Sequence, residues 1–272
     1  MINFTPLDED ELYEAVGLYI DNPKDTIKKL GIINSWNVIN IKSMKNLFSD
    51  NEFNYDISNW NVSNVENMED LFFGNINFNR DLSLWDVSNV RNMKGMFWNA
   101  IKFNGDISIW NVSKVESMEE MFEKATSFNR DISNWDVSNV KDMSYMFCNA
   151  TSFNQDISNW DVSNVETMSN MFDKAYKFNQ PLNNWNVSNV KYMTNMFDSA
   201  ISFNQSLNNW NVSNVKNMSH MFFKASKFND NLSTWKLKNY DFTNYVDKNH
   251  IFIHIFMDAK SYNLQNKPKI IV

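Results

Sequence analysis

Five aspartates, Asp56, Asp81, Asp106, Asp131 and Asp156, recur every 25 residues, and the slot then changes to Pro181 and Ser206. Carboxylates repeated at a fixed period share one side of a repeating fold, where stacking about 5 Å apart makes them repel one another. Two arrangements relieve that repulsion. Each carboxylate can accept backbone N–H bonds inside its own turn, a habit of aspartate. Alternatively, neighbouring acids can share calcium, a hard cation that takes oxygen ligands. Turn capping is the expectation here, with Asp81, Asp106, Asp131 and Asp156 as the candidate calcium ligands.

Histidine and cysteine offer less chemistry. His250 and His254, with Asp247 and Asp258 nearby, would share a face in a helix or a strand and could hold zinc. Two surface histidines on a capping element is the simpler expectation, and His220 stands apart from both. Cys148 is the single cysteine and has no histidine or base beside it in sequence, so a half-exposed, unreactive thiol is expected. No convergent catalytic set is present. The sequence therefore predicts neither an enzyme nor a bound cofactor.

The elements that carry these residues are set by an internal repeat. Tryptophan recurs at Trp60, Trp85, Trp110, Trp135, Trp160, Trp185, Trp210 and Trp235, always 25 residues apart, with Trp36 a further 24 upstream. Phenylalanine keeps the same period from Phe53 to Phe228, and methionine from Met68 to Met218. Eight copies span residues 36–234, preceded by 1–35 and followed by 235–272. Within the copy around Trp135, Trp135 and Val137 alternate with Asp136 and Ser138, which predicts a short strand. Val140, Met143, Met146, Phe147 and Ala150 then fall at spacings of three and four, which predicts a helix. Ser138 would cap that helix, and Ser63 with Glu66 or Ser113 with Glu116 matches a capping box.

One strand and one helix per copy cannot bury their own apolar faces, so the copies must stack. The expected architecture is one continuous α/β domain. It is a leucine-rich-repeat-like solenoid of about eight strand-helix coils, with an N-terminal helical cap over 1–35 and a C-terminal cap over 235–272. Leu7 to Ile20, with Leu12, Val16 and Tyr19 at helical spacing, is the predicted N-terminal cap helix. Ile251 to Met257 reads as one or two strands, and Gln265 to Val272 as an edge strand or a loose tail. Charges at one slot, Glu66, Arg91, Glu116, Lys141, Glu166 and Lys191, alternate in sign, as direct stacking of consecutive copies would favour.

Stacking separates exposed columns from buried ones. Asn61, Asp86, Asn111, Asp136, Asp161, Asn186 and Asn211 would line the open face of the predicted sheet as a flat polar surface. A second slot, predicted to face solvent on the helices, holds Phe73, Trp98, Glu123, Cys148, Asp173, Asp198 and Phe223. Phe73 and Trp98 sit in adjacent copies and should touch. An exposed aromatic pair marks a contact, with packing against the N-terminal cap as the alternative.

Composition agrees with a folded, non-catalytic protein. Apolar residues make up 43% of the chain and aromatics 15%, enough for a sizeable core. A net charge of -7 argues against nucleic acid, whose phosphates select a basic surface. No apolar run reaches the roughly eighteen residues that membrane insertion needs. Met1 to Glu14 carries five acids and no base, unlike a secretory leader. The expectation is a cytoplasmic protein as synthesised, or a particle-associated one.

The segment Ile132-Ser-Asn-Trp135-Asp-Val137-Ser-Asn-Val140 has apolar residues at the offsets of the leucine-rich strand signature. Valine occupies its final slot, so the asparagine ladder of that signature is absent or moved. Trp-Asp pairs such as Trp135-Asp136 suggest β-propeller blades, but blades need about 40 residues each. The string from Phe128 to Phe147 resembles the BspA-like leucine-rich repeat family, a mycoplasma-type surface-protein repeat. That resemblance covers about 200 of the 272 residues. It implies a leucine-rich-type solenoid, a role in adhesion or partner binding, and no catalytic residues. The reading is thus a repeat scaffold that binds a protein or a second copy of itself. The alternative is a structural or surface component of a virion or cell with no dedicated ligand.

Overall fold

The computed structural model describes residues 4–239 and 254–270. Two helices open it: α1, Glu9–Asp21, and α2, Pro23–Leu30, followed by a 3-10 turn at Ile33–Ser35. Asp8 starts α1 by accepting the Glu11 N–H, and Asn22 starts α2 by accepting that of Asp25. α1 buries Leu12, Ala15, Val16 and Tyr19, and Tyr19 meets Trp36 edge-on at 5.7 Å. Near the other end, two-residue strands β1, Lys236–Leu237, and β2, Lys269–Ile270, pair in parallel.

Between them the α/β strand-helix solenoid is not what forms. Residues 36–235 contain neither helix nor strand, only one isolated parallel bridge per junction, from Ser43↔Asn67 to Tyr192↔Asn217. The predicted sheet of Trp135–Val137 segments is absent, and so is the helix over Val140 to Ala150. Each copy is instead a coil of successive β-turns. Around Trp135 the turns close from Trp135 N–H to Ile132 C=O (3.2 Å), Val140 to Val137 (2.9 Å), Met146 to Met143 (3.3 Å) and Ala150 to Phe147 (3.0 Å).

Left-handed residues decide against a helix. Tyr145 has φ 58° and Asn149 φ 57°, and the equivalent pairs recur, for example Asn170 and Lys174, or Asn195 and Ser199. A positive φ at the third turn residue belongs to a type II turn and cannot continue a right-handed helix. It also turns alternate N–H groups along the stack. Met143, Tyr145, Phe147 and Asn149 donate to Thr167, Ser169, Met171 and Asp173 of the next coil at 2.7–3.1 Å. The intervening N–H groups close turns within the coil. The apolar spacing of three and four survives because a β-turn also brings residues i and i+3 together. The capping boxes lose their helices as well: the Ser63 and Ser113 N–H groups go to Asn61 and Asn111.

The core is a set of ladders. Trp110, Trp135 and Trp160 stack at 6.5 Å, and Phe97, Phe122 and Phe147 at 5.6–5.7 Å. Each of the eight tryptophans spaced 25 residues apart from Trp60 to Trp235 donates its indole N–H to a carbonyl of the preceding coil at 2.8–3.1 Å. The asparagine ladder has moved to the residue after the repeated phenylalanine. Asn104, Asn129, Asn154 and Asn179 each send their N–H to the side-chain oxygen of the asparagine one coil back, at 2.9–3.0 Å. The alternating charges do pair, Glu116 lying 3.6 Å from Arg91 and 3.7 Å from Lys141.

The C-terminal reading changes too. Of the Ile251 to Met257 segment, 251–253 lie outside the described residues, and Ile255 to Met257 is no strand: Phe256 stacks on Phe222 at 5.5 Å and Tyr262 on Phe228 at 5.8 Å. The Asn263 N–H continues the ladder onto Asn229 at 3.0 Å. This segment is a further, degenerate coil.

Candidate functional site

The aspartate column and the Asn/Asp row are both built by the turns they start. Asp56, Asp81, Asp106, Asp131 and Asp156 each accept the N–H of the serine two residues on, at 2.9–3.0 Å. The backbone N–H and hydroxyl of Ser108 hold the Asp106 carboxyl below its ordinary range, and Ser133 does the same for Asp131. Repulsion within this column is thus countered one turn at a time.

The second row does not lie on a sheet face, since no sheet forms there. Asn61, Asp86, Asn111, Asp136, Asp161, Asn186 and Asn211 are exposed and cap the next turn, accepting the N–H of the serine two on at 3.0–3.2 Å. The hydroxyl and N–H of Ser88 and Ser163 hold Asp86 and Asp161 low. Both rows are therefore structural first, and their residues stay exposed.

Phe73 and Trp98 do come together. Their rings stack at 4.1 Å with planes 6° apart, both are half-buried, and Lys124 Nζ lies 4.1 Å above the Trp98 ring. Gly95 supports the pair from below. Its φ of 59° suits glycine, and a methyl group there would lie 3.7 Å from the Phe73 ring and collide with Asp70 Oδ1.

Two positions of that column are closed to solvent, while Glu123, Asp198 and Phe223 are half-buried. Cys148 is only 5% exposed and Asp173 8%, because these positions sit inside a turn and stack against the coils on either side. The thiol is buried, not half-exposed; it donates to Asp173 Oδ2 at 3.6 Å, and burial pushes its pKa up. That is the opposite of an activated nucleophile. Lys174 pairs with Asp173 at 3.0 Å.

His254 lies 5.6 Å from His220, ring to ring, while His250 and Asp247 fall outside the described residues. Among the described residues, no three histidine, cysteine or acidic side chains are grouped to hold a metal. No helix there is long and apolar enough to cross a membrane.

Sequence reasoning missed a second apolar pair, Leu84 and Ile109, 72% and 74% exposed in adjacent coils. Asparagine fills that slot in copies such as Asn134 and Asn159, which was the available signal.

The repeat that builds these columns matches a family model described as "Mycoplasma protein of unknown function, DUF285", over residues 22–132, 84–175, 104–200 and 156–255. The chain belongs to the DUF285 family. The overlapping matches run across most of the chain, from α2 to beyond β1, and take in the aspartate column, the Asn/Asp row and the Phe73–Trp98 pair. The mycoplasma-type repeat is thereby established. No protein with a curated description matches the chain.

Proposed function

We propose that this DUF285 chain is a non-enzymatic scaffold that binds a protein partner on the face bearing Phe73 and Trp98. The observation that carries the proposal is the stacked, half-buried pair itself, in a slot that holds an acid or a cysteine in the next four coils. Exposed aromatic surface is costly to keep in water and typically marks a contact. The near-identical coils supply rigidity, and the partner is read by the few positions that depart from the repeat. The resemblance of Phe128 to Phe147 to BspA-like repeats supports the same reading, through the adhesive role that family implies.

Affinity capture with the wild type and with Phe73→Ser/Trp98→Ser as baits tests it. A protein retained by the wild type and lost by the variant, at an unchanged melting temperature, is the expected outcome. Identical retention would refute the assignment. A collapsed melting temperature would make the pair core.

A second reading is a structural or surface component without a dedicated ligand. The continuous Asx-turn columns favour it, since they present the same polar surface coil after coil.

A further inference from the structure

The Phe73–Trp98 pair sits among carboxylates that outnumber their cations. Around it and along the same side of the stack lie Glu69, Asp70, Glu119, Glu120, Glu123, Asp173 and Asp198. Four lysines face them, and each is committed to one acid: Lys45 to Glu69 (3.0 Å), Lys94 to Glu119 (2.6 Å), Lys124 to Glu123 (3.1 Å) and Lys174 to Asp173 (3.0 Å). Asp70, Glu120 and Asp198 are left over. Among the described residues no lysine or arginine forms an ion pair with them, and Asp198 accepts the Ser199 hydroxyl at 2.7 Å.

All three surplus carboxyls are pushed up by partial burial. The charge of Glu69 adds to the effect at Asp70, Glu119 at Glu120, and Asp173 at Asp198, while Lys45 and Lys94, Lys94, and Lys174 with His220 respectively offset part of it without reversing it. Asp173 itself keeps one buried carboxylate oxygen, Oδ1, without a partner. Geometry ties the surplus to the aromatic pair: Asp70 Oδ1 lies against Gly95, the same residue that underlies the Phe73 ring. A polar surface can absorb unpaired charge through solvent. Half-buried carboxylates crowded by other acids do so poorly, and a cation arriving with a partner relieves them.

We infer that the segment docking here is apolar and basic: an aromatic or large aliphatic side chain laid on Phe73 and Trp98, with lysine or arginine reaching Asp70, Glu120 and Asp198. Asp70 and Glu120 are equivalent positions two coils apart, roughly 10 Å at about 4.8 Å per coil. An extended chain covers that distance in about three residues. The segment therefore runs along the stack, with about three residues between the cations for Asp70 and Glu120 and about five more to the one for Asp198, some three coils further on. This inference rests on the Phe73–Trp98 assignment and adds the chemistry of the partner to it.

Two fluorescein-labelled probe peptides test it by anisotropy, one of twelve residues with lysine at every third position and tryptophan and serine between, the other with glutamate for lysine. The lysine peptide is expected to saturate and to bind at least tenfold more tightly than the glutamate peptide. Glu120→Gln/Asp198→Asn should cost about tenfold and flatten the salt dependence, and Phe73→Ser/Trp98→Ser should cost at least as much. Glu66→Gln/Glu166→Gln, on the alternating charge column, should change nothing. Equal binding of both peptides, lost only in the serine variant, would overturn the charge selection and leave the aromatic site standing. Binding of neither peptide, or binding indifferent to the serine variant, would overturn both. Thermal melts of each variant separate lost binding from lost fold.

Discussion

The indole N–H of Trp135 donates to the main-chain carbonyl of Ile107, in the coil before it, at 3.1 Å. Its ring stacks meanwhile on Trp110 and Trp160 at 6.5 Å. One side chain thus ties three coils together, polar atom and ring alike, and repeats of that contact fix how each coil sits on the last. The Ile107 carbonyl also accepts the Trp110 N–H at 3.2 Å, so deleting the indole N–H removes one of its two bonds and leaves it paired. Trp135→Phe should cost about 1–3 kcal/mol, one buried hydrogen bond between coils plus lost ring area. Denaturant unfolding of wild type and variant measures it; a cost below about 0.5 kcal/mol would mean the bond holds nothing.

Gly95 is required twice over, by its φ of 59° and by Asp70 Oδ1, which occupies the space a Cβ would take. Gly95→Ala should destabilise by about 1–3 kcal/mol, combining the left-handed penalty with displacement of a flexible carboxylate. Asp70→Ala in the same chain should return part of that loss, leaving the backbone component. Additive losses in a double-mutant cycle would show that the two residues do not compete for the space.

Glu9 closes the first coil. Its Oε1 accepts the N–H of Lys42 (3.0 Å) and of Ser43 (3.1 Å), the groups that later coils satisfy with a neighbour's carbonyl. Partial burial alone would raise this carboxyl, but the hydrogen bonds from Lys42, from its own N–H and from Ser43 outweigh it and hold the group low. A depressed carboxyl stabilises above its unfolded pKa, about 4.3, and loses that contribution as pH falls through the folded value. Glu9→Gln should therefore melt lower than wild type at pH 7, by a few degrees at most, with the gap closing below about pH 4. A gap independent of pH would mean the charge plays no part.

Calcium should find little to bind on the regular aspartate column. One oxygen of each of Asp81, Asp106, Asp131 and Asp156 is already committed to a serine N–H in its own turn at 2.9–3.0 Å. Calorimetric titration with calcium is expected to give no binding heat and no rise in melting temperature. A saturable heat accompanied by stabilisation would show that the free oxygens of neighbouring coils converge on the ion.

The repeat, its register and the inward-facing residues were legible because burial leaves a periodic trace whatever the backbone does. Trp135, Val137, Val140, Met143, Met146, Phe147 and Ala150 are all buried. The backbone itself was not legible from that trace. Strands and helices are the usual source of spacings of two and of three to four, yet a chain of β-turns produces both. A cue did exist: asparagine, aspartate or glycine at the left-handed positions Asp50, Asp70, Gly74, Gly95, Asn99 and Asn170. Glu120, Lys124, Tyr145 and Lys174 obscured it, because the hydrogen bonds their N–H groups donate to the next coil hold these residues in a conformation they rarely choose.

At the site, the contact of Phe73 with Trp98 followed from the period alone. The burial of Cys148 and Asp173 did not, since it depends on the turn carrying them and on the coils to either side. The degenerate coil at 254–263 was hidden by its spacing, with Phe256 standing 34 residues after Phe222 instead of 25.

The turn-built coil is the foundation of every other statement about the columns, and backbone torsions in solution test it most directly. Backbone chemical shifts of the deuterated protein by NMR should place Tyr145 and Asn149 near φ 58° and 57°, with left-handed values recurring at Asn170 and Lys174. Helical torsions, near −60° at both residues, with continuous i→i−4 bonds from Val140 to Ala150 would contradict the account and restore the strand-helix coil.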